Sequence, residues 1–487
     1  MVRTLVVKEL KSILLSPKFS ATFAVCSALM VLSVYVGIRE FESASRQYAA
    51  ANELVQQEMR GARDWMSVNE RIYRAPDPLQ IFASGVENDI GRFSNVSTWT
   101  PVKLVHSAYI DDPIFAVFRS IDFSFIVQVV LTLFAILFTF DTICGEAETG
   151  TLRLTFANPV PRTHFILAKF FGSWLGLVVP LSVPVLISIS LLFVFGIPIT
   201  PTHWMRLGFL LAGSLLLITF FIALGILVST LTRRSNVSFL VLLVSWVALV
   251  LIVPRAGIMV SGQLVKVPTV AEIESQQDGY AKDRWNQQMK DLSEVWRQRE
   301  ESMKGLNEEQ RKAKRDEMEW TWAEQDDNGR KRVQQDIDNN ALTLREELRN
   351  KKRLQEQLAF SISRISPVSA YQLAMMDLAA TDINLKSRYE DALSEYRTTF
   401  NQYKEAKRKE SGATGGLRIT FDSNAGMKID VGREMALDLS GIPIFQTAGI
   451  EFAPSSSSTL WDFGILIFLS IISFAGAFIS FLRYDVR

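Results

Sequence analysis

Six long stretches without Asp, Glu, Lys or Arg constrain the fold of this 487-residue chain more than any other feature. Each is about as long as a helix needs to be to cross the hydrocarbon core of a bilayer, roughly twenty residues. Lipid offers no partners to backbone N–H and C=O groups, so runs of this length predict helices, which satisfy those groups internally. The sequence therefore predicts an all-α polytopic membrane protein with six transmembrane helices.

Positive charge in the short connecting segments predicts the orientation of the spans. Only Arg206 lies in the one short loop of the opposite side. The basic residues of the predicted cytoplasmic side are Arg3, Lys8, Lys11, Lys18, Arg153, Arg162, Lys169, Arg233, Arg234, Arg483 and Arg487. Both termini are thus predicted to be cytoplasmic, in a multi-pass protein of the bacterial cell (inner) membrane.

The charge bias and the spans together predict the order of segments. These are a cytoplasmic interfacial helix (1–18), a first span (19–38), an outer loop (39–122), a second span (123–140), a cytoplasmic segment (141–169), the third to fifth spans (170–254), an outer helical domain (255–459), a sixth span (460–482) and a cytoplasmic tail (483–487). The chain has 2 cysteines, Cys26 and Cys144, so no disulfide framework is expected in the outer domain, which suits a bacterium.

The predicted outer domain is highly charged and shows helical periodicity. Two apolar series repeat at spacings of three and four, which indicates amphipathic helices with one buried stripe. They are Val333, Ile337, Ala341, Leu344 and Leu348, and Tyr389, Leu393, Tyr396, Phe400 and Tyr403. Alternation over 417–431 predicts a small β-hairpin. We expect an extracytoplasmic helical bundle or coiled hairpin, with the tyrosine stripe forming core rather than a ligand site.

Residues 141–169 form a polar segment between two membrane-length runs, so they must leave the bilayer. Glu146 and Glu148 come early, where a helix N-terminus favours negative charge. Leu152 is apolar, and Pro159 and Pro161 stop any helix that reaches them. The pattern predicts one short amphipathic helix over 146–157, lying along the membrane face.

Three motifs in this segment carry a family resemblance. They are Glu146-Ala147-Glu148-Thr149-Gly150-Thr151-Leu152, Asn158-Pro159-Val160-Pro161-Arg162 and Leu167-Ala168-Lys169. Together they resemble the permease subunits of type-2 ABC exporters (type V ABC transporter-like). Ser366-Pro367-Val368-Ser369, before Tyr371, is similar to an element of the branch with a large insertion before the last span.

The resemblance implies that this segment is a coupling helix that docks into a groove of a cytoplasmic ABC ATPase. Glu146 and Glu148 would contact basic residues of the ATPase, and Gly150 would allow close backbone approach. Thr151 and Leu152 would seat the helix, and Arg162 would fix the turn or meet lipid phosphate. The implied ATPase-coupling residues are Glu146, Glu148, Thr149, Gly150, Thr151, Leu152, Pro159, Arg162 and Lys169.

Catalytic motifs are missing from the sequence. It has no phosphate-cradling G-x-x-x-x-G-K-[ST] loop, H-E-x-x-H or G-x-S-x-G. We therefore expect no enzyme activity and no cofactor in this chain, with ATP and Mg²⁺ bound by the partner ATPase. The 3 histidines argue against a metal cluster, and the net charge of +1 argues against nucleic acid.

Two hypotheses of function remain, and both place the chain in the lipid bilayer with an ATPase and a second permease copy, identical or paralogous. In the first, the complex exports a hydrophobic or lipid-like (or peptide) substrate, because the spans contain almost no ionisable residues for an ion route. In the second, the chain transmits ATPase motion to an extracytoplasmic protein partner without transport. The sequence does not identify substrate-binding residues.

Overall fold

The structure is a computed structural model that describes residues 2–60, 69–87, 91–97, 102, 104, 121–410, 418–422, 426–430, 441–445 and 456–484. Helices dominate it. The first part of the chain comprises α1 (Val2–Leu14), α2 (Pro17–Arg60), β1 (Glu70–Tyr73), a 3₁₀ turn (Pro78–Ile81), β2 (Phe93–Val96) and α3, which consists of Phe123–Phe125, a π-helical stretch Ile126–Leu131 and Thr132–Thr139. Next come α4 (Cys144–Glu148), α5 (Thr151–Phe156), α6 (Arg162–Val194) and α7 (Pro201–Leu231).

The second part of the chain begins with α8, which consists of Ser235–Val247 and a π-helical stretch Ala248–Ile252, and continues directly into α9 (Val253–Leu264). It then comprises α10 (Val270–Glu301), α11 (Glu308–Ser363), α12 (Pro367–Leu378), α13 (Asn384–Glu410), β3 (Arg418–Asp422), β4 (Gly426–Asp430) and α14 (Ser456–Leu482). The strands pair antiparallel as β1–β2 and β3–β4. The second pair confirms the β-hairpin predicted within 417–431, whose turn lies outside the described residues.

Six helices in the described ranges are long and apolar enough to cross a membrane, which confirms the predicted fold class. They are Pro17–Arg60, Phe123–Glu148, Arg162–Val194, Pro201–Leu231, Ser235–Leu264 and Ser458–Leu482. The second and fourth are the most buried, with 67% and 61% of their apolar windows covered by protein. The other four therefore surround this pair and present apolar side chains outward, as lipid-facing helices do.

The chain divides into two compact units, and the division differs from the predicted outer domain at 255–459. One unit is Val253–Ser363, and the other joins Met1–Ile252 to Arg364–Arg487. The reason is the burial of α12, in which Ala370, Tyr371 and Ala374 have no exposed surface. Tyr371 shares a 3.0 Å hydrogen bond with Ser214 of α7. The Ser-Pro element is thus the N-terminal cap of α12, and α12 is buried among the spans.

The unit Val253–Ser363 is organised as an antiparallel helical hairpin of α10 and α11. Arg299 pairs with Asp326 at 2.8 Å, and Arg284 pairs with Asp336. A capping box between Thr269 and Glu272 starts α10. On α11 the predicted stripe is confirmed, with Val333 buried and the other four members half-buried. The predicted coiled hairpin is therefore present in this unit.

A second hydrophobic core, separate from that of the spans, contains the predicted tyrosine stripe of α13. Tyr389, Leu393 and Phe400 are almost fully buried there, and Tyr396 is 8% exposed. They pack with Ile72 and other residues contributed by the β1–β2 pair and its flanks. The interpretation of this stripe as core rather than as a ligand site agrees with this packing.

A buried ion pair lies at the N-terminal end of α7. Arg206 Nη1 is 2.9 Å from Asp77 Oδ2, and the two side chains are 3% and 5% exposed. Arg206 Nε donates to the Leu378 carbonyl at 2.6 Å, and Asp77 Oδ1 accepts from the Leu79 amide at 2.8 Å. The pair thus joins α7, the end of α12 and the 3₁₀ turn after β1.

The dependence of stability on pH at Glu70 provides a test of this second core. Burial raises the pKa of its carboxyl, although a hydrogen bond with Tyr396 lowers it. The Tyr396 hydroxyl contacts both Glu70 and, at 2.7 Å, the Pro443 carbonyl. Because a hydroxyl has one proton to donate, both contacts are satisfied when Glu70 is protonated and donates to it.

A raised carboxyl pKa contributes stability that is complete below the ordinary glutamate pKa and is lost as pH rises through the raised value. We therefore expect Glu70→Gln, whose amide can donate at any pH, to be at least as stable as wild type at neutral pH. Its thermal unfolding in detergent should also depend less on pH between mildly acidic and neutral conditions. Glu58→Gln, at a side chain that is 60% exposed, is the control. An unchanged pH profile for Glu70→Gln would contradict the assignment.

Candidate functional site

The segment between the second and third spans consists of two short helices, α4 and α5, rather than the single predicted helix over 146–157. The break falls at Gly150, whose φ of 73° lies in the left-handed region. A Cβ at this position would meet nothing within 4 Å. The backbone conformation at position 150 therefore requires a glycine, because other residues are strained at this φ. Close backbone approach by another group at Gly150 stays a prediction beside this local role.

The start of α4 is fixed by the fourth and fifth spans, at the ends that the predicted orientation places on the cytoplasmic side. Ser229 Oγ accepts hydrogen bonds from the amides of Ile143 and Cys144, at 3.0 and 3.2 Å. Ser238 Oγ donates to the Phe140 carbonyl at 2.6 Å. Both Ile143 and Cys144 are fully buried. The segment is thus attached to the spans at its base and cannot move independently of them without breaking these bonds.

Glu148 forms a cap on the fifth span. Its carboxylate accepts from the Ser235 hydroxyl at 2.7 Å and from the Ser235 amide at 3.2 Å, at the first residue of α8. A carboxylate is favourable there because unpaired amides and the helix dipole both attract negative charge. The resemblance assigned Glu148 to the ATPase; in this structure the carboxylate holds two helices of its own chain together.

Lys169 is the most enclosed charge of the segment. Its Nζ lies 2.7 Å from Glu9 Oε2 and 2.9 Å from Glu146 Oε1, and its side chain is 7% exposed. Lys8 adds a longer contact to Glu146, at 3.5 Å. This triad of Lys169, Glu9 and Glu146 joins three elements: α6, α1 and α4. Glu146 is therefore directed toward the third span, and its predicted contact with an ATPase stays a prediction.

Sequence reasoning missed Glu9 as a member of this site. A lysine at the start of an apolar span needs a carboxylate partner, because an unpaired buried charge is costly. That requirement could have led to Glu9 in the N-terminal helix. Close packing supports the contact: a Cβ on Gly172 would lie 2.6 Å from Glu9 Cβ, and one on Gly176 would lie 3.2 Å from Ile13 Cδ1. The glycines let α1 lie directly on α6.

The other end of the segment is attached to the sixth span. Arg162 Nη1 donates to the carbonyls of Leu482 and Tyr484, at 2.6 and 3.0 Å, where α14 ends. A cation is favourable at this position because the last carbonyls of a helix are unpaired and carry partial negative charge. Phe156 and Phe165 pack against the ring of Phe481. Leu152 is 1% exposed, as expected for a residue that seats the helix.

What remains on the surface of α4 and α5 is a continuous exposed ridge. Its members are Glu148, Thr149, Thr151, Arg153, Leu154, Ala157, Asn158 and Pro159. Leu154 is 71% exposed. Thr149 and Thr151 donate to the carbonyls of Gly145 and Glu146, at 2.9 and 3.2 Å, and so stabilise the break between the helices. The ridge thus combines a rigid backbone with a projecting leucine beside an arginine.

No group of three or more His, Cys, Asp or Glu side chains within the described ranges is arranged to hold a metal ion. The backbone of the ridge is held by contacts to four spans and to the N-terminal helix.

These features define a polytopic membrane subunit with a rigid surface ridge between its second and third spans. Residues 3–486 match the profile of a family described as ABC-2 family transporter protein, and the chain belongs to this family. The match spans nearly the whole chain, so it confirms the resemblance drawn from the motifs. Comparison with curated proteins gives no match. Membership identifies an ABC permease subunit, of a kind that associates with an ABC ATPase in a dimeric membrane assembly.

Proposed function

We propose that this chain is the permease subunit of an ATP-driven export complex and that a separate ATPase docks on the exposed ridge of α4 and α5. The observation that carries the proposal is the attachment of this ridge to the rest of the chain. Ser229, Glu148, Lys169 and Arg162 connect it to the fourth, fifth, third and sixth spans in turn. A displacement of the ridge by the ATPase would therefore act on all four spans at once.

The proposed substrate is hydrophobic or lipid-like, or a peptide, moving outward. Over 19–38, 123–140, 170–195, 207–231, 235–253 and 463–482 the spans carry no Asp, Glu, Lys or Arg. Charged residues inside a membrane mark ion and proton pathways, because their cost is otherwise not offset. The buried charges Lys169, Arg206 and Asp462 lie near the helix ends and pair with Glu9 and Glu146, Asp77, and Arg364. They leave no charged path through the middle of the bundle.

A second candidate function is transmission of ATPase motion to an extracytoplasmic protein without transport. The specific observation in its favour is the size of the part outside the spans, namely the unit Val253–Ser363 and the second core around α13. Substrate-stimulated ATPase activity separates the two functions. Lipid-like compounds should stimulate a transporter, whereas only a protein partner should stimulate a transmitter.

Leu154→Glu tests the docking proposal. An exposed leucine contributes little to the free permease, but its burial in an interface is worth about 1.5–3 kcal/mol. We therefore expect the variant to insert normally and to co-purify with an amount of ATPase that is about tenfold lower than for wild type, or lower still. ATPase stimulation by the permease should fall in parallel.

Leu342→Glu is the matched control, because Leu342 on α11 is also strongly exposed, at 56%, and lies in the predicted outer insertion. It should bind and stimulate the ATPase like wild type. Full ATPase association of Leu154→Glu would overturn the docking proposal, and loss in both variants would point to a folding defect instead of a docking site.

A further inference from the structure

Three large apolar side chains form an exposed stripe on α10, the first helix of the hairpin. Trp285, Met289 and Trp296 are 37%, 59% and 53% exposed. With about 100° of rotation per residue, positions 285, 289 and 296 project from one side of a helix. We call these three residues the α10 stripe. Tryptophan and methionine are enriched where proteins contact one another, so such a stripe on a charged helix calls for an explanation.

Among the side chains that the structure describes, those of the hairpin's second helix leave this stripe exposed. Contacts from α10 to α11 are made by Arg284 to Asp336 and by Arg299 to Asp326. A Cβ on Gly329 would lie 2.8 Å from Gln288 Nε2, so α11 also approaches α10 there. The seam between the two helices combines these ion pairs with apolar groups: Val333, which is 2% exposed, lies on the same side of α11, and Arg299 stacks on the ring of Trp322. The indole N–H of Trp296 reaches Asp326, but its ring stays half exposed.

The charges of α10 are arranged to leave the stripe neutral. Between positions 285 and 296 the charged residues are Lys290, Asp291 and Glu294. Each projects more than about 90° away from the centre of the stripe, at the helical rotation of about 100° per residue. The stripe's immediate neighbours, Asn286, Gln288, Ser293 and Val295, carry no charge. About half of the helix surface is thus uncharged over three turns.

We propose that two copies of this chain pair through the α10 stripe, so that their hairpins form a four-helix coiled coil. This inference rests on the proposed function, and it takes the second permease of the dimeric assembly to be identical to this chain. Copies inserted in the same orientation present their hairpins in parallel about a two-fold axis, so each stripe residue meets its own counterpart at the same height.

The neutral surface is the reason for choosing a second copy as the occupant. In a two-fold contact each charge near the axis would face an identical charge, which is destabilising. A surface that must meet itself is therefore free of charge, as this one is between Trp285 and Trp296. A different protein would instead be selected by complementary charges at the rim.

Cysteine cross-linking in membranes tests the pairing in the full-length chain. The two native cysteines, Cys26 and Cys144, are both buried and free and are first replaced by alanine. Met289→Cys places a thiol on the stripe, and Gln287→Cys places one on the opposite side of the same helix turn. Two differently tagged copies are co-expressed and treated with a short bismaleimide. We expect Met289→Cys to link the two tags and Gln287→Cys not to link them.

A matched pair of charge substitutions adds a second measurement. Trp285→Glu should reduce cross-linking at Met289→Cys by about tenfold or more, as is typical for loss of a tryptophan at an interface centre. Gln287→Glu adds the same charge on the opposite face and should leave cross-linking unchanged.

The inference is overturned if the tagged copies co-purify but Met289→Cys links no better than Gln287→Cys, and the proposed two-copy complex then still stands. It is also overturned if Met289→Cys links only to another protein. Copies that fail to co-purify at all would overturn the inference by excluding an identical second copy, whereas the docking proposal is tested separately by Leu154→Glu.

Discussion

Lys169→Met is expected to destabilise the chain by about 3–5 kcal/mol, the usual cost of removing one partner from a buried ion pair. The substitution keeps the length of the side chain but removes the lysine between Glu9 and Glu146, and the exposed Lys8, 3.5 Å from Glu146, remains as a longer contact. The side chains of Lys169, Glu9 and Glu146 are 7%, 12% and 17% exposed, so both carboxylates lie in a largely buried region. We expect α1 to detach from α6, which should appear as a lower unfolding temperature in detergent and faster proteolysis near the N-terminus.

Two further variants isolate the triad as the cause. Lys8→Met removes a cation that is 58% exposed and 3.5 Å from the same Glu146, so it should change stability by well under about 1 kcal/mol. Adding Glu9→Gln and Glu146→Gln to Lys169→Met removes the unpaired charges and should recover much of the loss. If Lys169→Met unfolds at the wild-type temperature, the triad does not hold α1 in place.

The triad also links stability to the proposed coupling. Lys169→Met should weaken stimulation of the ATPase even where the ATPase still binds, because α4 would lose its connection to α1 and α6. Leu154→Glu should instead weaken binding itself. Comparing the two variants therefore distinguishes loss of docking from loss of transmission through the segment.

Asp77→Asn should have a similarly large effect, about 3–5 kcal/mol, at the other end of the bundle. It leaves the Arg206 guanidinium, whose side chain is 3% exposed, without its carboxylate at 2.9 Å. It also weakens the cap that Asp77 provides to the Leu79 amide. We expect the 3₁₀ turn and the end of α12 to loosen, because both are held through Arg206. Hydrogen exchange of these two segments, together with the unfolding temperature, measures the effect.

Controls for this prediction use an exposed pair and a neutral replacement. Glu42→Gln breaks the Arg39–Glu42 pair, whose side chains are 54% and 27% exposed, and should cost no more than about 0.5 kcal/mol. Asp77→Leu combined with Arg206→Met should be more stable than Asp77→Asn alone, because no buried charge is left unpaired. Equal effects of Asp77→Asn and Glu42→Gln would show that the buried pair contributes little.

Much of the fold could be predicted because its signals are local. Long uncharged runs gave the six spans, and spacings of three and four gave the buried stripes on α11 and α13. The membrane environment makes these signals strong, since every span must be both apolar and helical. The motif around Gly150 indicated the segment that we propose as the docking site for the same reason: its residues are consecutive in the chain.

The partners of charged residues could not be predicted in this way. Glu146 and Glu148 were expected to face an ATPase, yet Glu146 pairs with Lys169 and Glu148 caps the fifth span at Ser235. Glu9, the second carboxylate at Lys169, lies 160 positions away in sequence. Helical periodicity gives the face on which a side chain lies, but it does not give the element that packs against that face.

The sequence by itself determined the class of fold, the family and the position of the segment that we propose as the docking site, because length, hydropathy and a continuous motif specify them. Only the tertiary structure decided that α4 and α5 bend at Gly150, that α12 belongs with the spans, and that four contacts tie the ridge to its own chain. The physical reason for the last two is that they depend on which distant groups the fold brings together, some of them, such as Lys169 and Tyr371, in a low-dielectric interior. There, an unpaired charge or amide costs several kcal/mol, so pairing between distant residues decides the arrangement.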